Sequence, residues 1–325
     1  MTVAALAAAL LVFADVASDA ARDALLFSAQ TVIPSLFAFS VASSVLAAVG
    51  LPRFITRAFP LHRLLGLPEC AAPALLCGLV GSMPVGAMLS SSLYDSGRIT
   101  KNEAARLCAV SSNVSAAFLV GVVGQMFGSR IFGAILWAAQ TVSAVACGVV
   151  FRYTSRSGAD ERKDVTAAAE EQGIFGVFCD CVTRSAFASV TVCGYIVFFR
   201  VVGAILTEMC PPIAAVVGLT LEFSSGAAYS ARIGSAAACG FAVGLGGVSS
   251  FSQICNYAGK SGVPVRRTLL SKAVSAVVLA LCGAAAERLT DTSACAAVWA
   301  DVGVPLGYCA AVIVAAAVLF AVRKK

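Results

Sequence analysis

The stretch from Val302 to Val322 carries no charge, and Ala273 to Ala286 is apolar apart from Ser275. A helix crosses the hydrocarbon core of a bilayer with about 20 apolar residues. Runs of this kind recur along the chain, and only 12% of its residues are charged while 59% are hydrophobic. A soluble domain carries about 25% charged residues, so most of this surface must have lipid for solvent. Backbone inside lipid has to satisfy its own hydrogen bonds, which selects helices. The short alternating segments of a membrane β-barrel are missing. The expected fold is all-α: a polytopic transmembrane helical bundle with two related repeats, parallel or inverted, and broken helices.

Spans read at about 3–18, 31–50, 70–93, 104–124, 130–151, 185–207, 212–231, 236–256, 267–286 and 303–322. The chain divides into an N-terminal apolar helix plus amphipathic segment (1–29), a first membrane repeat (30–151), a polar linker (152–173), a second membrane repeat (174–286) and a C-terminal helix with a basic tail (287–325). Met1 to Ala14 lacks the positive start of a signal peptide and reads as a retained, short first helix. Asp19 to Ala29 reads as an interfacial amphipathic segment, and Pro52 to Pro68 as an interfacial or re-entrant one. Arg323-Lys324-Lys325 argue for a cytoplasmic C-terminus. Counting back with every segment spanning puts the linker outside, against Arg152 and Arg156. Either a segment is re-entrant or the span count is off by one.

Several functions are excluded or weakly supported. The net charge of +6 is spread over loops and the tail, with no basic stripe, so no nucleic-acid partner is expected. Most of the 13 cysteines fall in apolar segments, where Cys packs as a small hydrophobe. Cys179 and Cys181 are not at a metal or redox spacing, so neither metal nor cofactor is expected. His62 is the one histidine, and no nucleophile triad, HExxH or P-loop is present. The chain is not expected to be an enzyme.

The two halves match in pattern. Ile33 to Gly50 precedes a segment interrupted at Gly81-Ser82-Met83-Pro84-Val85-Gly86-Ala87. Ser189 to Leu206 precedes one interrupted at Glu222-Phe223-Ser224-Ser225-Gly226-Ala227. Each is followed by a second small-residue stretch, Ser111-Ser112-Asn113-Val114-Ser115 and Gly244-Leu245-Gly246-Gly247-Val248-Ser249-Ser250. Gly- or Pro-interrupted segments at matching positions of two halves point to a transporter binding site. Small residues also serve plain close packing in lipid. Pro84, read as mid-helix, removes a hydrogen bond and frees a carbonyl.

Glu222 sits between Leu221 and Phe223, and Arg200 lies in Val197-Phe198-Phe199-Arg200-Val201-Val202. An ionisable group at such depth is functional by default, or else an internal ion pair. Arg200 suits a carboxylate, either a substrate's or that of Glu222. Lys272, one turn inside a span, reads as snorkelling. Asn113, Gln125, Gln140, Gln253 and Asn256 are polar groups fit for interhelical bonding. The expected substrate-binding set is Ser82, Pro84, Gly86, Asn113, Arg200, Glu222, Ser224, Ser225, Gly226, Gly246, Gly247 and Gln253.

These motifs resemble a known family. Pro34-Ser35-Leu36-Phe37, Gly81 to Ala87, Gly97 to Leu107, Ser111-Ser112-Asn113, Leu221 to Gly226, Gly244 to Ser249 and Gln253 follow in the order seen in the YlbJ family of sporulation integral membrane proteins. That family is similar in turn to proteins with the Gate, or nucleoside-recognition, domain. The sequence departs from the family pattern at Arg200 and at Ser115-Ala116-Ala117-Phe118. The resemblance implies a permease for a small organic anion, dipicolinate first and another carboxylate second; the cost of desolvating Glu222 separately suggests proton or cation coupling through it. It also implies a place in the plasma membrane, or the outer forespore membrane of an endospore former. The partners expected are the anion, membrane lipid, and a second copy or a sporulation membrane protein. The rival readings are a non-transporting scaffold for spore-envelope assembly and a nucleoside transporter.

Overall fold

The computed structural model describes residues 2–49, 60–154 and 174–289, and every regular element among them is helical. The linker beyond Thr154 and the expected 303–322 span lie outside the described residues. Helix α1 (Thr2–Val12) meets α2 (Ala14–Phe27) at a bend of 92°. From there α2 runs on through a π turn (Ser28–Val32) into α3 (Ile33–Val49). The π turn comes immediately before Pro34, whose ring has no N–H and crowds the preceding turn. The expected span at 3–18 therefore straddles the bend. Asp19 to Ala29 belongs to a long helix packed on another helix, α8 below, and is not a separate interfacial segment.

Next come α4 (Ala72–Val80) and α5 (Met83–Asp95), then α6 (Lys101–Ser111), an unwound stretch, and a helical continuation through a π turn (Phe118–Val123) to Met126. Helix α7 (Arg130–Thr154) closes the first half. The second half repeats the order with α8 (Ile174–Met209), the pair α9 (Ala214–Thr220) and α10 (Phe223–Arg232), the pair α11 (Ala236–Leu245) and α12 (Gly247–Ser261), and α13 (Arg266–Leu289). Local chemistry sets the boundaries. Thr100 and Glu103 form a reciprocal capping box at the start of α6. Pro84 sits in the first turn of α5, where a missing N–H costs nothing, and not in mid-helix as the sequence reading had it.

The pairs α4/α5 and α9/α10 are re-entrant hairpins, not the single spans expected at 70–93 and 212–231. Gly78 and Gly86 are eight residues apart, about 12 Å along a straight helix. Yet a Cβ on either would run into Ser111. Likewise a Cβ on Gly226 would lie 3.0 Å from the carbonyl oxygen of Gly218. Both chains double back at their breaks, Gly81-Ser82 and Leu221-Glu222. The α6 and α11/α12 units, by contrast, continue in one direction past their breaks.

The hairpins enter from opposite ends. Asp95 accepts from Ser261 Oγ at 2.6 Å, Arg267 donates to the Asn102 carbonyl at 3.1 Å, and Arg152 donates to the Arg63 and Leu64 carbonyls. These bonds gather the mouth of the first hairpin, the start of α6 and the ends of α7 and α12 at one end of the bundle. The other end holds the start of α11, where the Ala236 N–H donates to Glu287 on α13. The mouth of the second hairpin, at Arg232 and the turn into Ser235, leads straight into that start. Among the described residues each half thus has three elements that run the full length, an odd number, so the second half is turned over relative to the first. The end with Arg63, Arg98, Lys101, Arg152, Lys260, Arg266 and Arg267 is the basic one, which assigns it to the cytoplasm. Thr154 and Ile174, the described residues on either side of the linker, then both lie at that end, and the conflict with Arg152 disappears.

Four helical stretches are long and apolar enough to cross a membrane: Arg130–Thr154, Phe175–Met209, Ala236–Ser261 and Arg266–Glu287. The bent pair Ala4–Val12 with Ala14–Val32 makes a fifth. This is a multi-pass membrane protein. Lipid gives helices no hydrophobic drive to associate, so they lean on close backbone contact. Helices α11 and α13 do so at Gly240, which faces the Leu279 backbone, and at Gly283, which faces Ala236.

Candidate functional site

The tips of both hairpins and both helix breaks meet in the middle of the bundle. Met83 from the first hairpin presses its thioether against Gly246, whose φ of 77° ends α11 in the left-handed region. The second tip docks beside it, with the Leu221 carbonyl accepting from Ser249 N at 2.9 Å. Gly247, at φ 75°, lies against the Leu221–Glu222 peptide. A side chain at Gly246 or Gly247 would be strained in conformation and would push a tip away.

A cavity of about 200 Å³ opens between these elements. Its polar lining is Thr31, Ser82, Ser115, Ser224, Ser250 and Gln253. Its apolar walls combine aliphatic side chains such as Leu36, Val192 and Ile196 with four aromatic ones, Phe27, Phe39, Phe118 and Phe223, the last two edge to face with centroids 5.1 Å apart. Ser82 to Pro84, Ser115 to Phe118, Phe223–Ser224 and Ser250 all belong to the opening turns of helical segments. Four half-helix N-termini therefore converge on one space, and that end of a helix carries partial positive charge.

One of the four, the N-terminus of α10, is already occupied. Glu222 is its N-cap and is 2% exposed. Its carboxylate accepts from Ser224 N at 3.0 Å and Ser225 N at 2.8 Å, and from both serine hydroxyls. Arg200 reaches in from α8, with Nε 3.7 Å from Glu222 Oε2 and Nη2 donating to Ser224 Oγ at 2.9 Å. The guanidinium lies over the Phe27 ring, 4.3 Å from its centroid. Arg200 thus faces the protein interior, and its planar fork bridges the cap and the cavity wall.

The break after α6 is held differently. Gln140 on α7 grips the Val114 peptide from both sides: Nε2 donates to the Val114 carbonyl at 2.9 Å, and Oε1 accepts its N–H at 3.2 Å. An amide side chain here replaces the missing helical bonds of unwound backbone. Asn113 Nδ2 donates to the Val110 carbonyl at 2.7 Å, and its Oδ1 accepts from Lys272 Nζ at 3.1 Å. Lys272 is 3% exposed, so it does not snorkel. Trp137 Nε1 donates to the Leu79 carbonyl at 3.1 Å and so steadies the first arm of the first hairpin.

The chain is similar to the sporulation integral membrane protein YlbJ of Bacillus subtilis (strain 168). The two are 25% identical over 209 residues, which covers 58% of this chain and 51% of the relative. The chain spans about half the length of the curated relative it matches. The match supports the YlbJ-type resemblance read from the motifs. No family profile matches the chain, and no solved structure does.

Of the expected site residues, Ser82, Pro84, Ser224 and Gln253 line the cavity. Arg200, Glu222, Ser225 and Asn113 stand one layer back and hold the tips and the break. Gly86 and Gly226 pack against Ser111 and Ala242, and Gly246 and Gly247 admit the hairpin tips. Sequence reasoning missed the aromatic walls, and Phe118 and Phe223 could have been found as the large residues next to each small-residue break. It also missed the buried position of Lys272.

Proposed function

We propose that this protein is a permease for a small aromatic carboxylate, dipicolinate first, and that it serves sporulation as its YlbJ relative's name describes. The observation that carries this reading is the single cavity where two oppositely entering hairpins and two broken helices meet. Binding at a repeat interface from discontinuous helices is how many secondary transporters hold a substrate. The aromatic walls accept a flat ring, and the N-terminal turns and hydroxyls supply donors to carboxylate oxygens. Around the site, the cations Arg200 and Lys272 outnumber the anion Glu222, which favours a negative cargo. A cavity of about 200 Å³ fits a compact metabolite.

The inverted halves give the motion a basis, since rocking of one repeat against the other opens either end in turn. Movement is coupled to a proton or cation gradient in this reading. The membrane is the plasma membrane, or the outer forespore membrane in an endospore former. The scaffold reading is favoured by one observation: Glu222 and Asn113 are bonded within the protein and do not line the cavity. The nucleoside reading rests on the Gate resemblance alone.

Purified protein in liposomes decides between transport and scaffold. Dipicolinate uptake, saturable and dependent on an imposed pH gradient, is the expected result. Protein that moves no dipicolinate or related carboxylate under any gradient removes the permease and leaves the scaffold.

A further inference from the structure

Lys272 is a buried charged group that does not line the cavity. It lies on α13 within a candidate span and is 3% exposed. Among the described residues its hydrogen-bond partner is Asn113 Oδ1 at 3.1 Å. Its titratable neighbours are the uncharged thiols of Cys108 and Cys147, and among the described residues no carboxylate pairs with it. Lone buried ammonium groups are costly, so a compensating field is required.

That field is the end of a half-helix. Asn113, the residue that Lys272 holds, stands just beyond Ser111, where α6 stops. The last carbonyls of a helix lack partners and carry partial negative charge. Here Asn113 bonds the Val110 carbonyl through Nδ2 and presents Oδ1 to the ammonium, so the amide relays the helix end to the cation. Half-helix C-termini and unwound carbonyls inside membrane transporters are the places where a coupling cation binds. Glu222 makes the mirror arrangement in the other half, with a carboxylate on the N-terminus of α10. Each half thus carries a covalent counter-charge on a helix dipole that would otherwise need a free ion.

We propose that Lys272 is a tethered cation: its ammonium fills the cation position at the end of α6, so the break is held without any bound alkali ion. For the permease proposed above, and resting on that reading, the consequence is that sodium is not the coupling ion. Removal of the lysine side chain creates a vacancy that a small free cation can fill.

The test needs no flux, so it is independent of whether the protein moves dipicolinate. Thermal unfolding of the full chain in nanodiscs is followed for wild type, Lys272→Ala and Lys272→Met. The salts are choline, sodium and n-propylammonium chloride at equal ionic strength, with n-propanol as the uncharged control. Wild type is expected to have the same midpoint in choline and sodium. The alanine variant is expected to unfold several degrees lower in choline and to recover in propylammonium or sodium, but not with propanol. The methionine variant keeps the volume without the charge and is expected to be less stable than wild type. Rescue by propanol, no rescue by any cation, or a sodium-stabilised wild type overturns the proposal. Should the alanine variant not accumulate, the methionine variant decides: a midpoint at or above wild type overturns the proposal.

Discussion

Breaking the Glu222–Arg200 contact tests how the second hairpin tip is held. Glu222→Gln keeps the shape of the side chain but removes its charge. The carboxylate accepts two backbone N–H bonds, two serine hydroxyl bonds and the field of a guanidinium 3.7 Å away. Loss of an N-cap costs about 0.5–2 kcal/mol. Orphaning one partner of a buried pair costs about 3–5 kcal/mol. Arg200 retains partial exposure and its bond to Ser224 Oγ, so the expected cost sits near the lower figure, about 3 kcal/mol. Arg200→Gln should cost a similar amount, because it strands the carboxylate. The double variant should cost less than the sum of the two by roughly 1.5 kcal/mol or more, since neither charge is then alone. The assay is equilibrium unfolding of the four proteins in mixed detergent, with dipicolinate uptake read in parallel. Costs that add within about 0.5 kcal/mol would show that the two side chains do not act as a pair. A Glu222→Gln protein as stable as wild type, yet without uptake, would return Glu222 to the role of a coupling residue.

Burial and the neighbouring Arg63 hold the His62 imidazole below its usual pKa of 6.5, with Glu69 opposing. The folded protein then prefers the neutral ring, so stability is full above pH 6.5 and falls as pH drops toward the lower folded value. His62→Gln should flatten that acid loss in a thermal-unfolding series. Cys70 and Cys210 stand at the mouths of the first and second hairpins. On intact cells a membrane-impermeant maleimide should label a variant whose sole cysteine is Cys210, and should label a Cys70-only variant only after permeabilisation. Labelling of both from one side would undo the inverted arrangement. Gln140→Leu strips the Val114 peptide of both partners, at about 1–3 kcal/mol for each buried group left unmet, and unfolding midpoints check it.

The all-helical membrane class was legible because lipid as solvent leaves a plain mark on composition. The four breaks were legible too, since Gly81–Pro84, Ser111–Asn113, Leu221–Glu222 and Gly244–Gly247 each interrupt an apolar run. What a break does was not legible. Gly-Ser-Met-Pro and Leu-Gly-Gly-Val are both small-residue interruptions, yet the first turns the chain back and the second lets it continue. The difference lies in what the neighbours accept: Gly78 and Gly86 can both lie on Ser111 because neither has a side chain. That is tertiary information, and its absence produced the parity conflict over the linker. Lys272 failed for a related reason. Its distance from the helix end fits snorkelling, and only the packing of α13 against α6 and α7 shows that it points to the break and away from the interface.

If the protein is the permease proposed above, there is a physical reason for the charges to sit one layer behind the cavity and not in it. A substrate that must leave as well as enter cannot be met by full, fixed charges at contact distance without being trapped. Half-helix N-termini, hydroxyls and aromatic faces bind more weakly and are released when a tip moves. Glu222 and Lys272 instead fix the ends that form the site: one anchors the N-terminus of α10, the other the unwound stretch after α6. Arg200 is the exception that makes the point, since its Nη2 reaches Ser224, a wall residue, through a hydroxyl. A carboxylate that took that hydroxyl's place would draw Arg200 away from Glu222 and loosen the cap of α10. In the proposed permease, substrate binding and hairpin movement would be joined at this one guanidinium. Arg200→Lys, which keeps the charge but loses the fork, should therefore retain the fold and slow uptake more than it weakens dipicolinate binding. A lysine variant with unchanged uptake would show that the fork plays no part in moving the tip.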